Sequence, residues 1–199
     1  MTEVKICGIR RQEDVVMMNE CLPEMVGFVF YPPSRRYVSF EEAYKLREGL
    51  DDRIRTVGVF VDSDPDTMVE AVDSGIVSAI QLHGNENEAV IDGLRDRTDA
   101  EIIQAFIIRD EDDIRSANLS VADYVLLDNG KGTGNSFDWS LIDGMEREYI
   151  LSGGLTPENV GEAVRMLKPF AVDVSSGVES DGCKDPYKVN AFIDNVRMR

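Results

Sequence analysis

Histidine occurs once in this 199-residue chain, tryptophan once, cysteine three times and lysine six times. One histidine excludes a His-rich metal site, and a Ser-His-Asp triad would have to be built on His83 alone. The cysteines, Cys7, Cys21 and Cys183, are odd in number and form no CxxC pair, which argues against a disulfide framework or a Cys-based zinc site. The expected home is therefore a reducing cytoplasm. No apolar run reaches membrane-spanning length, and the opening MTEVKICGIR has no signal-peptide core. Positive charge is scarce as well: 21 Lys and Arg against 38 Asp and Glu leave a net charge of −17. Such a surface disfavours nucleic acid and anionic membranes as partners. No internal repeat, low-complexity stretch or Pro/Gly/Ser-rich linker divides the chain, so residues 1–199 read as one domain.

What the chain does have is alternation. Hydrophobic residues make up 43%, enough for a core. They fall in short strand-like runs, each followed by an amphipathic helical stretch. The runs are VKIC (4–7), MVGFVF (25–30), RTVGVFV (55–61), AIQLHG (79–84), EIIQAFII (101–108), YVLLD (124–128), YILSGG (149–154) and AVDVSSG (171–177). The helices are expected over 12–21, 40–50, from Pro65 on, over 86–97, 110–117, a short one near 139–143, then 156–167 and 186–197. Ser39 with Glu42 reads as a capping box, and Pro65 and Pro157 suit first helical turns. Eight strands strictly alternating with eight helices predict an α/β fold with a parallel sheet closed as a (β/α)₈ TIM barrel. The rival is a doubly wound open sheet, but CGIRRQ after the first strand is not a dinucleotide-binding GxGxxG loop.

A barrel of this kind acts at the C-terminal ends of its strands. That rim carries Cys7, the loop with Arg35 and Arg36, His83, Asp128, the Ser152-Gly153-Gly154 run and the Ser175-Ser176-Gly177 run. Gly153, Gly154, Ser175, Ser176 and Gly177 are the expected phosphate site, because backbone N–H groups and a following helix N-terminus favour anions. Cys7 and Asp128 are the acid–base candidates. A thiol needs only a modest downward pKa shift to serve as a base, and a carboxyl in a dry barrel mouth can stay protonated as an acid. The plain reading of Cys7 is a buried structural cysteine; Cys21 on a helix and Cys183 in a late loop are read as bland. One of Arg35 and Arg36 could clamp a carboxylate, or both could form a solvated surface pair. His83 could contact a substrate or be structural. Strand alternation puts Lys5 on the face of Cys7 and Asp173 on the face of Ser175, and strands one and eight are neighbours in a closed barrel. A buried Lys5–Asp173 ion pair under Cys7 is therefore expected, its cation favouring the thiolate.

KICGI (5–9), VGFVFYPPSRRYVS (26–39), VGVFV (57–61), QLHG (81–84), LLD (126–128), LSGGLTPENV (151–160) and FAVDVSSGVES (170–180) resemble phosphoribosylanthranilate isomerase in collinear order. The loop after strand six, KGTGNSFDW, departs from the family's usual run at Lys131 and Asn135. The resemblance implies an Amadori rearrangement in tryptophan biosynthesis on a small phosphorylated substrate. It implies Asp128 as general acid, Cys7 as general base, and Arg36 on the anthranilate carboxylate. Gln81 and His83 are further substrate contacts, and the strand-seven and strand-eight loops hold the phosphate. No metal or organic cofactor is implied, and the assembly is a monomer or a homodimer. The nearest rival, the histidine-pathway sugar isomerase, would carry an aspartate where Cys7 stands. A non-catalytic phosphate-binding barrel would need neither Cys7 nor Asp128.

Overall fold

The computed structural model describes residues 1–128 and 139–197. Lys131, Asn135 and most of the run after strand six lie outside them. Eight parallel strands close into a barrel in the order of the sequence: β1 (Glu3–Cys7), β2 (Met25–Val29), β3 (Arg55–Phe60), β4 (Ala79–Leu82), β5 (Glu101–Ile107), β6 (Tyr124–Asp128), β7 (Tyr149–Leu151) and β8 (Ala171–Val174), which pairs with β1. Helices α1 (Gln12–Cys21), α2 (Phe40–Gly49), α3 (Pro65–Asp73), α4 (Glu88–Arg95) and α5 (Glu111–Leu119) follow the first five strands, α6 (Pro157–Leu167) follows β7, and α7 (Pro186–Arg197) closes the described chain. The expected capping devices are present: Ser39 and Glu42 cap α2 reciprocally, and Asp64 caps α3 ahead of Pro65.

Three features depart from strict alternation. The sixth helix is a short 3₁₀ segment, Trp139–Gly144, rather than an α-helix. β8 ends at Val174, and Ser176–Val178 then turns as 3₁₀. Between β8 and α7 lies an added hairpin, β9 (Glu179–Ser180) with β10 (Cys183–Lys184). Cys183 thus sits on a strand instead of in a loop. The hairpin turns at Asp181 and Gly182, both at positive φ (51° and 77°), which is the I′ pattern that Asp-Gly favours.

Strand periodicity divides the core in two. Outward-facing residues such as Val4, Ile6, Phe28, Ile80 and Leu127 pack against the helices. Met25, Val57, Ala79, Ile103, Leu126, Ile150 and Ala171 form a separate cluster inside the barrel. Below that layer, Arg55 bridges Glu3 and Glu101. Two residues above it, on the same faces, stand Gln81, Asp128, Ser152 and Asp173. The site is the topmost layer of the barrel interior, placed there by the two-residue period of each strand.

Candidate active site

Lys5 Nζ lies 2.9 Å from Asp173 Oδ1, and the pair is buried at 0% and 7% side-chain exposure. The strand register puts the two residues opposite each other, as expected. Ser152 Oγ donates to the other carboxylate oxygen at 3.1 Å, so Asp173 is satisfied from two strands. Burial works against the Lys5 charge, yet Asp173 and Cys7 outweigh it and hold the amine above its ordinary range.

Cys7 ends β1 directly over this pair. A Cβ on Gly27 would sit 2.8 Å from Cys7 Sγ and 3.3 Å from Lys5 Nζ, so the bare backbone of β2 makes room for both. Lys5 acts on the thiol in the direction the strand pattern predicts, toward the thiolate. Lys5 and Lys184 do pull it down, but burial is the larger effect and pushes the Cys7 thiol up.

A cavity of about 450 Å³ opens above the barrel and is lined by Arg35, Arg36, Asp128, Ser152–Leu155 and Asp173–Gly177. It brings together the expected phosphate loops, the expected acid and the expected carboxylate clamp. Cys7, Gln81 and His83 do not line it. Cys7 joins it through Lys5 and Asp173, and His83 through Asp128, whose Oδ2 is 3.9 Å from His83 Nε2. A larger cleft of about 1100 Å³, beside Met1, Arg147 and Phe170, opens at the opposite end of the barrel and holds none of these groups.

In the phosphate loops, Gly153 and Gly154 adopt φ of 82° and 70°, which lets the chain turn from β7 into α6 with its amides near the cavity. Gly177 packs against Leu155 O so closely that a Cβ there would collide with it. The Ser175 hydroxyl is committed elsewhere: it donates to Cys7 O at 3.1 Å and ties the β8 loop to the end of β1. That leaves Ser176 and the loop amides as the donors an anion would meet.

The loop of Arg36 is anchored at both ends. Val38 N donates to Val29 O, and Phe30 stacks on Phe60 and meets Phe40 edge-to-face. Arg36 does not point freely into the cavity. Its Nε and Nη2 bind Glu179 Oε1 and Oε2 at 2.6 and 2.9 Å, while Arg35 adds one contact at 3.2 Å. Lys184, itself buried, reaches Glu179 at 3.1 Å and Ser175 O at 2.9 Å. Burial would push the Glu179 carboxyl up, but Arg36 and Lys184 together hold it below its usual value. Burial lowers the Lys184 amine, and Glu179 offsets part of that. The roles of Glu179 and Lys184 escape the sequence reading, although Asp181-Gly182 between them is a hairpin signal. Four cations (Lys5, Arg35, Arg36, Lys184) thus face three carboxylates (Asp128, Asp173, Glu179). The cavity lining itself carries two arginines and two aspartates, a local balance of charge on a protein whose net charge is −17. Among the described residues, no group of three or more His, Cys, Asp or Glu side chains could hold a metal ion, and no helix is long and apolar enough to cross a membrane.

Comparison with known proteins supplies the chemical context. The family described as N-(5'-phosphoribosyl)anthranilate (PRA) isomerase matches residues 4–195. A relative bearing that name from Thermoanaerobacter pseudethanolicus is 40% identical over 204 residues, covering 99% of this chain and 98% of its own length. The crystal structure of phosphoribosyl anthranilate isomerase from Thermotoga maritima superposes with a TM-score of 0.90 at 40% identity, covering 99% of both chains. A crystal structure of a phosphoribosyl anthranilate isomerase in complex with reduced 1-(o-carboxyphenylamino)-1-deoxyribulose 5-phosphate has a TM-score of 0.87 at 39% identity, again over 99% of both chains.

Proposed function

The chain belongs to the N-(5'-phosphoribosyl)anthranilate isomerase family and is a phosphoribosylanthranilate isomerase of tryptophan biosynthesis; from that premise we propose how its residues divide the work. The substrate, N-(5'-phosphoribosyl)anthranilate, sets its phosphate on the amides of Gly153, Gly154, Ser176 and Gly177. Its carboxylate meets Arg36. Asp128 gives a proton to the furanose ring oxygen, and the C1–O bond breaks to leave a Schiff base. Cys7, as thiolate, removes the proton from C2, and the electrons flow into the C1–N system as an enolamine. Tautomerisation gives the ketone, 1-(2-carboxyphenylamino)-1-deoxyribulose 5-phosphate. Lys5 and Lys184 act by lowering the cost of the thiolate next to them. The protein works in a reducing cytoplasm, where a free Cys7 keeps its thiol.

The observation that carries this reading is the single cavity in which Asp128, Arg36 and the two glycine-bearing loops face one another, an arrangement scaled to a molecule with a phosphate at one end and a carboxylate at the other. The test follows the fluorescence of freshly made phosphoribosylanthranilate. Rapid enzyme-dependent loss of that signal is expected, and none after addition of pure protein would refute the reading.

A further inference from the structure

Gln81 stands on β4, two residues above Ala79 of the inner core cluster, and is 1% exposed. Its Nε2 lies 2.8 Å from His83 Nδ1. Its Oε1 is buried and has no hydrogen-bond partner among the described residues. Turning the amide over would let Oε1 accept from a protonated Nδ1, but it would strand the NH₂ group, with two donors, in the same dry position. Stranded N–H groups are the rarer and costlier defect, while a carbonyl oxygen left short of a partner is better tolerated. The amide therefore donates and Nδ1 accepts. A neutral imidazole has one N–H, so the proton is on Nε2. That nitrogen faces Asp128 Oδ2 at 3.9 Å, too long for a hydrogen bond in the free protein but within one small ring movement of it. Catalytic hydrogen bonds are often long until substrate closes the site.

We propose that Gln81 is a positioning residue for the isomerisation: it fixes His83 as the Nε2–H tautomer and so keeps a donor aimed at Asp128. The proposal rests on Asp128 being the acid. Once Asp128 has passed its proton to the ring oxygen it is a carboxylate, and an Nε2–H beside it stabilises that state. The opposite tautomer would confront the new charge with a lone pair.

His83 is the only histidine, so its ring signals are unambiguous in the whole protein. Long-range ¹H–¹⁵N correlation spectra of the ¹⁵N-labelled free protein, at a pH where the ring is neutral, should show the Nε2–H pattern. Gln81→Leu should give a mixture of tautomers and a kcat lower by about tenfold with KM little changed, the scale of one lost hydrogen bond. Gln81→Glu keeps the shape but accepts from Nδ1; it should show a protonated Nδ1 and no recovery of kcat. A wild-type ring protonated on Nδ1, or a Gln81→Leu protein with wild-type kcat, would overturn the proposal. The spectrum is read without substrate, so a failure of the isomerase reading would show separately, as absent turnover by a protein whose tautomer is still determined.

Discussion

Glu179 grips Arg36 side-on, taking the Nε and Nη2 hydrogens with its two carboxylate oxygens at 2.6 and 2.9 Å. The end-on edge of the same guanidinium, Nη1 with the second Nη2 hydrogen, is what remains for a substrate carboxylate. Arg36→Met should raise KM by tenfold or more, since charge-assisted hydrogen bonds are worth roughly 1.5–3 kcal/mol each. Arg36→Lys should recover little, because an ammonium cannot serve two forks. Arg35, 65% exposed with a single contact to Glu179, should matter far less when changed to Met. Steady-state kinetics on the three variants would decide; a larger KM effect from Arg35 would show that the wrong arginine has been placed on the substrate.

Removing the Asp173 carboxylate leaves Lys5 charged and sealed in the barrel. Asp173→Ala should cost about 3–5 kcal/mol in urea unfolding, whereas a double replacement by apolar residues of similar volume should cost markedly less. Equal losses from both would mean that packing, not the uncompensated charge, sets the penalty.

Burial holds the Cys7 thiol above its ordinary value of 9.0, so its thiolate fraction grows throughout the neutral and mildly alkaline range. The rate of Cys7 alkylation by iodoacetamide, followed by peptide mass spectrometry, should therefore rise with pH and still be rising near pH 9, rather than levelling off near neutrality. Cys7→Ser should lower kcat by about 10²–10⁴-fold. An alkylation rate that levels off near neutrality would show that the neighbouring amines, not burial, set the thiol.

Asp128→Asn preserves shape but has no carboxyl proton to give. Turnover should collapse, again by about 10²–10⁴-fold, while calorimetric binding of the reduced product analogue persists. Unchanged kcat would take Asp128 out of the reaction.

Gly177 is a different kind of position: no charge is at stake, only space. A methyl group there would meet Leu155 O of the neighbouring loop, and backbone cannot swing aside as a side chain can. Gly177→Ala should weaken inhibition by inorganic phosphate and raise KM, with kcat less affected. Wild-type affinity for both would show that the two loops do not form the anion site together.

Much of this protein is set by residues close together in the chain. The two-residue period of each strand decides that Lys5 shares a face with Cys7 and that Asp128 stands above Leu126. Eight such strands, separated by helical stretches and carrying signals as local as Ser39 with Glu42, are enough for a closed parallel barrel. The closed order then makes β1 and β8 neighbours, so even the Lys5–Asp173 pair, 168 residues apart, follows from local periodicity plus closure. The three-dimensional fold sets the interactions whose sign depends on competing environments. Lys5 argues for a thiolate at Cys7, but the dry barrel argues harder against it, and burial depth cannot be summed from a strand pattern. Arg36 was legible as a candidate clamp but not as a residue already held by Glu179, because the hairpin that brings Glu179 and Lys184 to the mouth is an addition to the barrel plan, with strands only two residues long. Ser175 is legible as a phosphate-loop residue, but not as one whose hydroxyl donates to Cys7 O. A hydroxyl has one proton to donate, and the nearest acceptor in three dimensions, not the motif, determines where it goes.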